Sequence, residues 1–175
     1  MRSEPTDPGY AERVRVSFGK QGLLETVGAS LVRVAPGEVE IALSVSAAVS
    51  QQHGFVHGGA VAAIADSAAG YAAPTLMPAT AGVLAAEFKI NFLAPAGERL
   101  FALGRVVKAG RTLSVAQSEV RAERGGAHDR GAAHGDVRHD RGAGRRRRLT
   151  GATGRLRRWC GRSGSNRHSV TRTGF

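Results

Sequence analysis

The sequence predicts an α+β protein: one long apolar helix covered by an antiparallel sheet. Three observations carry this. A run of small apolar residues fills positions 58 to 73, broken by a single acid, Asp66. The segments on both sides of it alternate apolar with polar residues, as strands do when one face is buried and the other is wet. The connections between those segments are short, which favours antiparallel neighbours.

Taken in order, residues 11 to 24, "AERVRVSFGKQGLL", read as a short amphipathic helix. "ASLVRVAPGEVEIALSV" reads as two strands turned at Pro36 and Gly37; in the second, Val39, Ile41, Leu43 and Val45 alternate with Glu38, Glu40, Ala42 and Ser44. The apolar helix follows. After it, Ala86, Phe88, Ile90 and Phe92 alternate in "AAEFKINFLAP", and Phe88, Ile90 and Phe92, with Leu93, are expected to serve the core rather than a ligand pocket. "ERLFALGRVVKAGRTLSVAQSEVRAE" then gives two more strands broken at Ala109 and Gly110.

The chain has 175 residues and is 42% hydrophobic, enough for one core. No apolar stretch approaches the ~20 residues that cross a bilayer, and "MRSEPTDPGYAERVRV" lacks the apolar centre of a secretory signal, so the expected compartment is the cytoplasm. Cys160 is the single cysteine and is given no role. The net charge of +11 is unevenly spread. Residues 1 to 123 hold eleven basic and eleven acidic side chains, whereas residues 124 to 175 hold fourteen Arg and three Asp.

The domain is therefore expected to span 1–123, followed by an Arg/Gly-rich tail at 124–175. No apolar period survives in that tail, and its composition predicts disorder. A second account is a shifted reading frame near residue 124. With synonymous codons chosen for residues 127 to 140, reading one base later gives "RMTEVRHMATFVTT", which alternates like a strand. On that account the natural final strand is missing.

A helix that is apolar nearly all round is expected to be buried. An unpaired carboxylate is costly there and its pKa rises, so Asp66 marks either a binding site or a structural acid bonded to Ser67 or a neighbouring strand. Gly58 and Gly59 open the same helix. Their amides lie at the positive end of its dipole and could hold a developing oxyanion, or the glycines merely ease a loop into the helix. Asp66 lies eight residues beyond Gly58, roughly 12 Å along the axis. If both act on one carbon, a second subunit must supply one of them.

"HGFVHGGAVAAIADSAAGYAA", "EFKINFLAPA" and "GRTLSVAQSEV" resemble the hotdog-fold acyl-CoA thioesterases of the phenylacetyl-CoA (PaaI-like) branch, over residues 15 to 123. The resemblance implies a hotdog fold, dimers or dimers of dimers that pair sheets edge to edge, and active sites between subunits. It implies an acyl-CoA substrate and no cofactor or metal. By position it makes Asp66 the general base or nucleophile and Gly58, with Gly59, the oxyanion donor. Gln51 and His53 fall where relatives carry an Asn, and His57 shapes the loop. Ala85 replaces a Ser or Thr that assists water in relatives, and Arg111 stands where the CoA phosphates would lie.

Two other classes remain. One is an acyl-CoA-binding protein of the same fold in which Asp66 is structural. The other is a nucleic-acid binder acting through the Arg-rich tail, although aromatic residues for base stacking are nearly absent there beyond Trp159. The His-Asp pairs at 128–129 and 139–140 have no periodic helix around them to make a metal site.

Overall fold

A computed structural model describes residues 4–97, 99–124, 127–128 and 133–140. Helices α1 (Tyr10–Phe18) and α2 (Gly22–Thr26) precede strands β1 (Ala29–Ala35) and β2 (Glu38–Leu43). The long helix α3 (Gly58–Ala72) follows, then β3 (Leu84–Phe92), β4 (Leu100–Lys108), β5 (Leu113–Arg124), β6 (Ala127–His128) and β7 (Ala133–Asp140). The strands run in the order β1-β2-β4-β5-β7-β3, with β6 paired to the end of β5, and every pairing is antiparallel. The expected architecture of a helix wrapped by an antiparallel sheet is therefore present.

Residues 11 to 24 form two helices rather than the single expected one. Gly19 closes α1, donating its N–H to Arg15 O, and the chain turns before Gly22. The β1–β2 turn falls at Pro36 and Gly37 as expected, with Gly37 at φ +74°, a conformation costly for any other residue.

The core lies between α3 and the concave face of the sheet. Val39, Ile41 and Leu43 of β2, Leu100 and Ala102 of β4, and Val120 of β5 are buried against Ala60, Val61, Ile64, Ala65 and Ala68 of α3. Full burial of a side chain such as Ile64 contributes about 2 kcal/mol. The helix sits very close to β4: a Cβ on Gly104 would collide with the Ala68 carbonyl. Val14 of α1 and Leu24 of α2 complete the cluster. Thr75 ties the end of α3 to the β1–β2 turn, donating to Ala72 O and accepting from Gly37 N–H.

Beyond the expected boundary at residue 123, Ala133–Asp140 occupy the position between β5 and β3. The shifted-frame account expects the natural final strand of the sheet to be missing. A ladder between two partners, however, requires only backbone N–H and C=O groups, which every non-proline residue carries. Residues 141–175, most of the expected tail, lie outside the described residues, as do the side chains of the His-Asp pairs.

Candidate active site

Helix α3 is not covered evenly. Ala60, Val61, Ile64, Ala65, Ala68 and Ala69 are buried under the sheet, while Ala63, Asp66, Ser67 and Gly70 form a half-buried stripe at helical spacing. That stripe borders a cavity of about 430 Å³. Its other walls come from Arg13, Ser17 and Gln21 at the N-terminus and from residues 81–85 leading into β3. Asp66 thus stands on the open side of an otherwise apolar helix, and Ala85 lines the same cavity. Ser67 supplies a hydroxyl beside them where Ala85 has none.

The entry to α3 is held by backbone. Val56 N–H donates to Ala96 O, His57 N–H to Val49 O, and Gln51 N–H to Phe55 O, closing a small loop with Gly54 at φ +81°. His57 caps the helix: its Nδ1 accepts from Gly59 N–H at 2.9 Å. The Gly59 amide is therefore engaged within its own chain. Among the described residues the Gly58 N–H has no such bond. The cap engages the Nδ1 of His57 within its own loop.

Gly58 and Gln51 line a second cavity of about 360 Å³, with Val61, Phe92, Leu93 and Pro95. Among the described residues, none borders both cavities. Phe92 and Leu93 had been expected in the core. They are instead 56% and 63% exposed, because β3 ends the sheet and, among the described residues, no layer covers its last residues. The Phe92 ring lies against Gly58, about where a side chain at that position would point. His53 is exposed beside Gln52, and Arg111 is exposed in the β4–β5 connection; neither borders either cavity.

The N-terminal wall was not singled out by the sequence. Arg13 donates Nε–H to Asp7 and Nη2–H to the carbonyls of Pro74 and Met77, fastening α1 to the end of α3. The Gly9 N–H and then Arg13 hold the Asp7 carboxyl below its usual pKa. Helix α1 carries an apolar residue, Val14, that could have signalled a buried face, but nothing local indicated which surface it meets.

Among the described residues, no helix is long and apolar enough to cross a membrane. The sequence profile of the thioesterase superfamily matches residues 53–127. A thioesterase family protein from Silicibacter pomeroyi is 45% identical in solved structure, with a TM-score of 0.75, over 78% of this chain and 100% of that one. A Deinococcus radiodurans protein assigned as an esterase is 35% identical over 55% of this chain; the match spans 65% of its length, a little under two thirds. The E. coli PaaI protein from the phenylacetic acid degradation operon shares the fold at 19% identity and a TM-score of 0.67, over 77% of this chain and 94% of its own. With a hotdog sheet wrapped around α3 and a relative of this identity matched along its entire length, the chain belongs to the thioesterase superfamily.

Proposed function

We propose that this protein hydrolyses acyl-CoA thioesters at sites shared by two copies of the chain. The observation that carries the reading is the split of its polar machinery. Asp66 faces one cavity from the open stripe of α3, whereas the unengaged Gly58 N–H belongs to another, roughly 12 Å along the same helix. A two-fold pairing would bring the Asp66 cavity of one copy to the Gly58 amide of the other, and by symmetry make two equal sites. β3 supports such a pairing: it is the last strand of the sheet, and Leu84 is 73% exposed on it. The assembly is a homodimer, or a dimer of such dimers.

In this mechanism a water molecule beside Asp66 gives up a proton to the carboxylate as its oxygen attacks the thioester carbon. Negative charge builds on the carbonyl oxygen, and the Gly58 N–H, at the positive end of the helix dipole, stabilises it. The C–S bond then breaks. CoA leaves as the thiolate and takes up the proton, and the free acid remains. Direct attack by Asp66 would instead form a mixed anhydride, which hydroxylamine would trap. Gln51 lines the cavity of the oxyanion donor and would orient the substrate carbonyl, while the exposed Arg111, with His53, would meet the nucleotide end of CoA.

Asp66→Asn tests the assignment, with release of free thiol as the readout. The expected loss is about 10²- to 10⁴-fold in kcat with CoA binding retained. Unchanged hydrolysis would remove Asp66 from the mechanism and favour the acyl-CoA-binding alternative. Sedimentation of the purified protein should give at least twice the chain mass.

A further inference from the structure

The cavity that holds Asp66 has a built end, and that end is not used by the chemistry above. Asp66 lies near one side of the cavity, with only Ala63 before it on the lining stripe of α3. In the other direction the lining continues through Gly70, Tyr71 and Pro74. An acyl chain whose thioester sits at Asp66 therefore has room in one direction along the helix, towards Tyr71, roughly 7.5 Å further along the axis.

Three side chains of the N-terminal segment contact Tyr71. Gln21 Nε2 donates to its hydroxyl at 3.1 Å, and Ser17 Oγ lies 3.3 Å from the same oxygen. The Phe18 ring packs against it, with centroids 5.8 Å apart and planes tilted at 54°. Only 8% of Tyr71 is exposed. These partners are 50 or more residues away in sequence, so the brace is a tertiary arrangement rather than a local one. Tyr71 lines the cavity, and its hydroxyl is bonded to two side chains that line it too.

We propose that Tyr71, braced by Ser17, Phe18 and Gln21, is the stop that sets how long an acyl chain this protein accepts. The inference rests on the reading that an acyl-CoA places its thioester at Asp66. It assigns the N-terminal helices a part in specificity: they fix the far wall of the acyl pocket. Loosening the brace lengthens the pocket without touching Asp66 or Gly58.

The test uses the full chain and S-alkyl-CoA thioethers from ethyl to dodecyl, which cannot be hydrolysed, with affinity measured by calorimetry. For the wild type, affinity should rise about four-fold for each methylene group buried and then stop rising once the chain reaches Tyr71. Tyr71→Ala should move that plateau to longer chains, a gain of about ten-fold or more for the first ligands beyond the wild-type limit. Should Tyr71→Ala fail to fold, the Ser17→Ala/Gln21→Ala double variant decides, because both side chains are exposed; it should shift the plateau the same way by a smaller amount. An identical plateau in the wild type and in every folded variant would overturn the proposal, as would a wild type that shows no dependence on chain length. Turnover of acyl-CoA by the wild type is measured separately. Its absence would end the hydrolase reading while leaving the thioether plateau to judge the stop.

Discussion

The two ends of the sheet are built on different terms. At β2 and β4 the inner residues are sealed: Val39, Ile41, Leu43, Leu100 and Ala102 have no measurable exposure, with α3 laid directly across them. At β3 the side chains along most of the strand are exposed, and only Phe88 and Ile90 are half-buried. Between these ends runs β7, whose sequence "AHGDVRHD" shows no apolar alternation at all. One side of the molecule is thus specified by side chains agreeing with the fold at every level. The other is joined through backbone pairing and leaves apolar surface uncovered. The less covered side carries Phe92 and Leu93 beside Gly58, and it is the side on which the proposed pairing of two copies would fall.

Ending the chain at Arg124 should have the largest effect. Among the described residues β7 is the strand partner of β3, so its removal leaves β3 unpaired and opens the edge of β5. Loss of a cooperative urea transition, with aggregation, is expected. A truncated chain that unfolds at the wild-type midpoint would show that β7 contributes nothing and would erase the contrast.

Two glycines then compare the sides directly. At Gly104 an added methyl group meets the backbone carbonyl of Ala68, which cannot move without shifting α3 off β4. Gly104→Ala should cost about 3 kcal/mol, read from the urea midpoint. On β7, a methyl at Gly135 comes 2.8 Å from Cε2 of Phe88 and 3.1 Å from the Ser118 hydroxyl, both ends of side chains that can turn away. About 1 kcal/mol is expected there. Equal costs would mean that β7 is packed as tightly as β4.

Helix α3 and β2 were legible because they carry strict signals: an apolar run opened by two glycines, and the alternation of Val39, Ile41 and Leu43 in β2. The boundary between α1 and α2 was not, since one glycine in a polar stretch does not announce a cap. Asp66 was legible as the lone charge in its helix. The wall formed by Ser17, Gln21 and Tyr71 was illegible, because it depends on which surface α1 meets 50 residues later. β7 was hidden for a further reason. A strand paired on both sides needs no apolar pattern to be held, so periodicity had nothing to report. We retain as a proposal that the reading frame is shifted near residue 124. The strand-like string obtained one base later covers the β7 position, and the nucleotide sequence settles whether its codons permit it.

The smallest effect is expected on the sealed side, where packing leaves little for ion pairs to do. Glu38 on β2 accepts from Arg33 Nη2 on β1 at 2.9 Å and from Arg105 Nε on β4 at 3.0 Å, so one carboxylate links three strands. The Arg33 bond, with Arg105 adding to it against some desolvation, holds the Glu38 pKa below its ordinary value of 4.5. A lowered folded pKa means that the unfolded chain takes up the proton first. The contribution of Glu38 is therefore complete above the ordinary glutamate range and fades as the pH falls through it towards the lower folded value. The side chain is about one third exposed, at 34%, so water and salt screen the pair, and Glu38→Gln should cost under about 1 kcal/mol at pH 7. The difference between wild type and Glu38→Gln in urea midpoint should shrink in acid, where the carboxylate is protonated. A gap that stays constant from pH 7 to pH 3 would show that the glutamine disturbs strand packing, and the sealed side would then depend on its outer face as well as on its core.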